Sequence, residues 1–216
     1  MLGVIFTGGD APSSGVIKRE LDGLGIFSVA SDSGLEVAED AGIKPDLIVG
    51  DMDSLSDTTR LDSYPARRVI RYDTEKDFTD TELAFQAALG KGCRDIWIIG
   101  GGGGRIDHLF ALRSMFEREP FPLRWLTADA DIYCLDHAVN GGLSFSAEQD
   151  ALVSVFPLGG GPWEAESAGL KWPLKGLPWN RGFFGLSNIA VDGKFNVKAV
   201  SGRFMIIITL ESIWRR

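Results

Sequence analysis

Aspartates are the residues of this chain best placed to do chemistry. They occur as Asp32 in Asp32-Ser33-Gly34, Asp51 and Asp53 in Gly50-Asp51-Met52-Asp53-Ser54, Asp77 and Asp80 in Lys76-Asp77-Phe78-Thr79-Asp80, and Asp107 in Gly104-Arg105-Ile106-Asp107-His108. Each group follows a short apolar run of strand length, which puts it on the rim where open α/β sheets bind ligands. Carboxylates gathered on one rim repel: a like-charge pair at about 4 Å costs about 4 kcal/mol at an effective dielectric of about 20. A cation is therefore required. The only cysteines are Cys93 and Cys134 and the only histidines His108 and His137, which gives no thiolate or imidazole cluster for zinc. Oxygen ligands alone favour magnesium, which shares its coordination shell with waters and substrate phosphates. The chemistry indicated is that of nucleotide phosphates, with carboxylates doing any proton transfer.

A glycine run, residues 100–104, lies between a predicted strand and a predicted helix. Bare backbone N–H groups there can cradle phosphate oxygens, and a helix N-terminus adds about half a positive charge. Arg105 follows it and can clamp a phosphate with two parallel hydrogen bonds. The run is neither the dinucleotide fingerprint G-x-G-x-x-G nor a Walker A sequence. Taken singly, each motif reads as a solvated turn, a flexible loop or a surface ion pair; their occurrence together at successive strand ends carries the functional reading.

Two different patterns of sequence hold these residues. Up to about residue 127, apolar runs at 2–7, 26–30, 47–49, 68–71, 96–99 and 123–127 alternate with segments of helical period. This predicts a parallel sheet with crossover helices, hence an α/β domain over 1–127. The clearest helix is 79–89, with Leu83, Ala84, Ala87 and Ala88 on one face and Gly90 and Gly92 as stop signals; a second helix should follow Gly104. From 128 to 216 the helical period gives way to β-rich runs at 131–135, 151–156, 195–200 and 204–210, predicting a second domain built as an antiparallel sandwich or barrel. The formal charge of −8 argues against nucleic acid and anionic lipid as partners. The N-terminal run is too short and lacks the basic flank of a signal peptide, and no segment approaches a membrane span, so a cytoplasmic protein is expected. Two cysteines are too few for a disulfide framework, and both are expected to be buried.

In order and spacing these motifs, together with Pro45-Asp46-Leu47-Ile48-Val49 ahead of Gly50, Glu82 after Asp80, and in the second half Gly169-Leu170-Lys171-Trp172 and Ser187-Asn188, resemble the thiamine pyrophosphokinase family over nearly the whole chain. The resemblance implies a Rossmann-like three-layer α/β domain with a mainly parallel sheet holding ATP and Mg2+, a C-terminal antiparallel β-sandwich, and a homodimer with thiamine between subunits. The implied reaction moves a diphosphate from ATP to thiamine, giving thiamine diphosphate and AMP. Asp51, Asp53 and Asp80 are implied as metal ligands, with Asp77 and Asp107 beside them as catalytic carboxylates. Asp32, Ser33, Lys76, Thr79, Gly103, Gly104, Arg105 and Asp107 are implied on the nucleotide side, and Asp80, Trp172, Ser187 and Asn188 on the thiamine side. Trp172 suits a flat aromatic cation. Many relatives carry glycine where Ser33 stands, which touches the nucleotide fit. Two alternatives stay open: a diphosphokinase for another heterocyclic alcohol, such as a hydroxymethylpterin, and a nucleotide or thiamine sensor without turnover.

Overall fold

The computed structural model describes residues 1–210, in two compact units. The first comprises Met1–Met115 and Trp125–Ala128, and the second Phe116–Arg124 with the described residues from Asp129 onward. In the first unit the elements run β1 (Leu2–Thr7), α1 (Ser14–Leu21), β2 (Ile26–Ser31), α2 (Gly34–Asp40), β3 (Leu47–Gly50), β4 (Val69–Arg71), α3 (Asp80–Gly90), β5 (Asp95–Gly100), α4 (Ile106–Met115) and β6 (Arg124–Leu126). Strand order is β6-β5-β1-β2-β3-β4, and the pairs β5·β1, β1·β2, β2·β3 and β3·β4 are all parallel.

Val4, Ile5 and Phe6 of β1 are fully buried, as expected of a parallel strand covered on both faces. Val4 and Phe6 pack with Ile17 and Leu21 of α1 and Ala38 of α2. Gly3, on the opposite face, lies under Ala88 of α3. Helices thus cover both faces, giving a three-layer α/β unit. The register pairs Thr7 with both Ser31 and Gly100, and Ser31 with Val49. The carboxyl ends of these four strands therefore stop in one row, and whatever follows them emerges on a single rim.

The second unit contains β7 (Ala130–Asp136), β8 (Gly142–Ser146), β9 (Leu152–Leu158), β10 (Glu164–Ala168), β11 (Gly185–Ile189), β12 (Lys194–Ser201) and β13 (Arg203–Thr209). They form antiparallel sheets ordered β11-β9-β13-β7 and β10-β12-β8. In β12, Phe195, Val197 and Ala199 are buried while Lys194, Asn196 and Lys198 are exposed, the period-two pattern of a half-covered strand. These apolar residues share one core with Val153, Val155, Phe204 and Ile206 of the other sheet.

The chain changes unit three times between 115 and 129, where the sequence suggests one boundary near 127. The reason is Arg203, whose guanidinium donates to the carbonyls of Phe116 and Arg118 and to Asp136, and pairs with Glu119. Arg124 likewise pairs with Asp131 at 2.7 Å. Both cysteines are buried and free, and no described helix is long and apolar enough to cross a membrane.

Candidate functional site

Strand order reverses at β1: β2, β3 and β4 succeed one another on one side and β5 lies on the other. Ligands of open α/β sheets bind at such a switch point, beyond the strands' carboxyl ends. A cavity of about 660 Å³ opens there, lined by the segments after β1, β2, β3 and β5 and by the loop leading into α3. That volume is within the usual range for small-molecule sites.

Three carboxylates meet in it. One oxygen each of Asp32, Asp51 and Asp80 lies within 4.8 Å of the other two. Asp32 immediately follows β2, and its N–H donates to the Val49 carbonyl at 3.0 Å, in a left-handed conformation with φ 53°. Asp51 immediately follows β3. Asp80 opens α3, where the helix dipole favours a negative charge. Gly50 makes their approach possible: a Cβ there would stand 3.2 Å from both Asp32 Oδ1 and Asp80 Oδ1, and its φ of 144° excludes ordinary side chains.

The arrangement is electrostatically expensive. At 4.8 Å each like-charge pair costs about 3.5 kcal/mol at an effective dielectric of about 20. Lys76 offsets part of this, its ammonium lying 2.7 Å from Asp51 Oδ2 and 3.1 Å from Asp80 Oδ1. Its hydrogen bond holds the Asp51 carboxyl below the usual range. Burial pushes Asp32 up, with Asp80, Asp51 and Asp53 adding to the effect against the Ser54 hydroxyl. Burial also raises Asp80, although Lys76 pulls the other way. Asp32 is only 9% exposed, and its Oδ1 has no hydrogen-bond partner; nor does Asp80 Oδ1, apart from the ion-pair contact with Lys76. Buried acceptors left unsatisfied in a three-carboxylate cluster are what a small hard cation would complete.

The remaining expected residues fall in several places. Asp53 is exposed on the cavity wall, outside the trio, and its N–H donates to Asp51 Oδ1 at 3.3 Å. Asp77 also lines the cavity. Thr79 is the N-cap of α3: its hydroxyl accepts from the Glu82 N–H at 3.2 Å, and Glu82 Oε2 accepts from the Thr79 N–H at 2.9 Å. That reciprocal capping box fixes where the helix starts and hence where Asp80 points. Arg105 lines the cavity, but its guanidinium grips Asp107 in a two-point pair at 3.1 and 2.5 Å. The pair holds the Asp107 carboxyl at about 2. Asp107 itself is exposed in the first turn of α4, outside the cavity lining.

Gly103 and Gly104 form part of the cavity wall. Gly103 has φ 60°, and a Cβ on it would run into the Asp10 carboxylate. Asp10 is a residue the motifs did not single out. Its N–H donates to the Gly102 carbonyl at 2.7 Å and its own carbonyl accepts from the Gly102 N–H at 3.1 Å, bracing the glycine run. Ser54, which closes the Gly50-Asp51-Met52-Asp53-Ser54 motif without an assigned role, donates its hydroxyl to Ser33 Oγ at 3.1 Å and accepts from the Ser33 N–H. Ser33 Oγ lies close against Gly8, where a Cβ would approach it to 2.1 Å. The signal for Asp10 was available, because Gly8-Gly9-Asp10 follows the central strand just as the other motifs follow theirs.

In the second unit, Trp172 is 53% exposed and carries the Lys171 ammonium 4.7 Å from its ring centre. Asn188, only 6% exposed, fastens it. Asn188 Oδ1 accepts from the Trp172 N–H at 3.1 Å and Nδ2 donates to the Trp172 carbonyl at 2.6 Å. The Asn188 amide is thus engaged with backbone. Ser187 is exposed at φ 55°, with its N–H donating to Ser154 Oγ at 3.1 Å.

Comparison with known proteins bears on both units. Residues 25–119 match the family model described as thiamin pyrophosphokinase, catalytic domain, a span that contains every first-unit carboxylate named from the sequence. A stretch of 81 residues is 41% identical to the thiamine pyrophosphokinase of Bacillus subtilis (strain 168), covering 37% of this chain and 38% of that relative. Among solved structures, thiamin pyrophosphokinase from Geobacillus thermodenitrificans superposes with a TM-score of 0.75 at 26% identity, covering 99% of both chains. Thiamine pyrophosphokinase from Bacillus subtilis gives a TM-score of 0.79 at 23% identity over 98% of this chain and 100% of that one, which extends the likeness of fold to the second unit.

Proposed function

Through residues 25–119 the chain belongs to the thiamin pyrophosphokinase family, and from that premise we propose that it transfers a diphosphate from ATP to the hydroxyethyl group of thiamine. The observation that carries this reading is the trio of Asp32, Asp51 and Asp80, with a buried unsatisfied oxygen, across one cavity from the glycine run and Arg105. A site with three acidic oxygens and a facing set of backbone N–H groups suits a metal-bound polyphosphate better than an uncharged ligand.

In this reading Asp32, Asp51 and Asp80 hold Mg2+, so Asp32 takes a place the sequence assigned to Asp53. The ion would supply neutralisation of phosphate charge as it develops. The N–H groups of Gly103 and Gly104 cradle phosphate oxygens, those of Gly101 and Gly102 being given to the Gly8 and Asp10 carbonyls. Arg105 exchanges its Asp107 partner for a phosphate, since either anion presents two oxygens to the guanidinium fork. The thiamine hydroxyl oxygen forms a bond to the β-phosphorus while the bond from that phosphorus to the α,β-bridging oxygen breaks, and AMP departs. Asp80 is committed to the trio, which leaves Asp77, on the cavity wall, to take the hydroxyl proton. Catalysis is then chiefly positioning and charge neutralisation. The thiamine ring is assigned to Trp172, with Asn188 fixing the backbone that presents it and Ser187 alongside. The same reading takes the second unit as a β-sandwich and the protein as a homodimer.

The test is AMP release from ATP and Mg2+ with and without thiamine, with thiamine diphosphate followed in the same sample. Equal amounts of AMP and thiamine diphosphate are expected. Release of ADP or free phosphate, or AMP formation indifferent to thiamine, would overturn the assignment.

A further inference from the structure

Lys76 bridges two of the three carboxylates that a cation at the trio would use. Its ammonium touches Asp51 Oδ2 at 2.7 Å and Asp80 Oδ1 at 3.1 Å, while Asp32 Oδ1 is left without a hydrogen-bond partner. The three side chains of this ion-paired group are only 15%, 11% and 22% exposed. With all three carboxylates ionised, the ammonium leaves two net negative charges, the complement of a divalent ion. Yet ion and ammonium draw on the same two carboxylates, and both are positive. They cannot share them without severe repulsion.

Lys76 lies in the segment between β4 and α3 that lines the same cavity as the glycine run. A lysine is a point charge on a flexible four-carbon stem and can change anion without a change of backbone. We propose that Lys76 is a built-in, displaceable counter-ion, bound to Asp51 and Asp80 in the free protein and handed to the polyphosphate when metal and nucleotide arrive together. This deepens the nucleotide reading above and rests on it for the anion that receives the lysine. A metal ion arriving alone would have to expel the ammonium from two part-buried carboxylates to Asp53 or Asp77, which are exposed on the cavity wall and, being solvent-screened, repay little of the loss. A metal ion arriving with a polyphosphate brings a replacement anion along. Binding of the two ligands is therefore cooperative through Lys76, and the coupling is reciprocal.

The experiment is titration with Mn2+, read by the loss of the free-ion electron paramagnetic resonance signal, with and without α,β-methylene-ATP and with no thiamine. Wild type, Lys76→Met, Lys76→Gln and Lys76→Arg are compared. The neutral variants are expected to bind Mn2+ alone at least about 5-fold more tightly than wild type. The factor by which the nucleotide analogue tightens Mn2+ binding should fall by a similar amount, with Lys76→Arg close to wild type. Two neutral variants are used so that misfolding of one, visible in its circular dichroism, leaves the other to decide. Mn2+ affinity unchanged or weaker in the folded neutral variants, or Lys76→Arg behaving like them, would overturn the proposal. Failure to make thiamine diphosphate would not alter this readout, so the two readings fail separately.

Discussion

Replacing Asp32 with asparagine should make the metal-free protein more stable and deprive it of its response to magnesium. Asp32 sits within 4.8 Å of Asp51 and Asp80, and each such pair costs about 3.5 kcal/mol at an effective dielectric of about 20. Lys76 largely neutralises Asp51 and shares itself with Asp80, so the substitution relieves somewhat less than one full pair, about 2 kcal/mol. In a protein of this size that raises Tm by about 4–8 °C. The sign can be checked against pH. Burial and the neighbouring carboxylates raise the folded-state value of Asp32. Its favourable contribution is thus fully present below the unfolded value of about 3.9 and lost as pH rises through the folded one. The advantage of asparagine should accordingly be largest at pH 7–8 and shrink as the solution is acidified. The assay is thermal unfolding followed by circular dichroism, in EDTA and in millimolar Mg2+. Wild type should gain Tm on adding Mg2+ by mass action, and Asp32→Asn should gain little. A variant less stable than wild type in EDTA at pH 7.5, or equally responsive to Mg2+, would refute the picture of an uncompensated trio waiting for a cation.

Other consequences follow from single contacts. Thr79→Ala removes the N-cap of α3 and half of its capping box with Glu82, and should cost about 1 kcal/mol in urea unfolding while lowering turnover, because Asp80 begins that helix. Asn188→Ala leaves the Trp172 N–H and carbonyl without the partners at 3.1 and 2.6 Å, a loss of about 1–3 kcal/mol; KM for thiamine should rise while KM for ATP stays level. Arg203→Met strands Asp136, whose side chain is only 11% exposed, and should cost about 3–5 kcal/mol. Loss of the carbonyl contacts at Phe116 and Arg118 should make residues 116–119 exchange amide hydrogens faster.

How far the sequence could be read depended on whether a feature was written in consecutive residues or in spatial neighbours. The strands of the parallel sheet were visible because burial on both faces demands unbroken apolar runs, as in Val4-Ile5-Phe6 and Ile96-Trp97-Ile98-Ile99. The strands β8, β10 and β11 escaped notice. Their sequences, Gly-Leu-Ser-Phe-Ser, Glu-Ala-Glu-Ser-Ala and Gly-Leu-Ser-Asn-Ile, lie at sheet edges, where one partner strand suffices and β-forming residues are less needed. The same distinction divides the site. That carboxylates would gather at the strand ends followed from their order alone, but which of them would touch did not. An extended backbone would put Asp51 and Asp53, two residues apart, on one face, but the left-handed Met52 between them, φ 67°, breaks that alternation and leaves Asp53 on the cavity wall outside the trio. Asp32 is brought in from a different strand by the pairing of Ser31 with Val49, a register that no local pattern encodes. Lys76 shows the limit most clearly: the resemblance implied it on the nucleotide side, whereas its partners here are Asp51, at the end of β3, and Asp80, four residues on. A charge whose role is to stand in for an absent ion is recognisable only once the oxygens it shares, and the one it leaves unsatisfied, have coordinates.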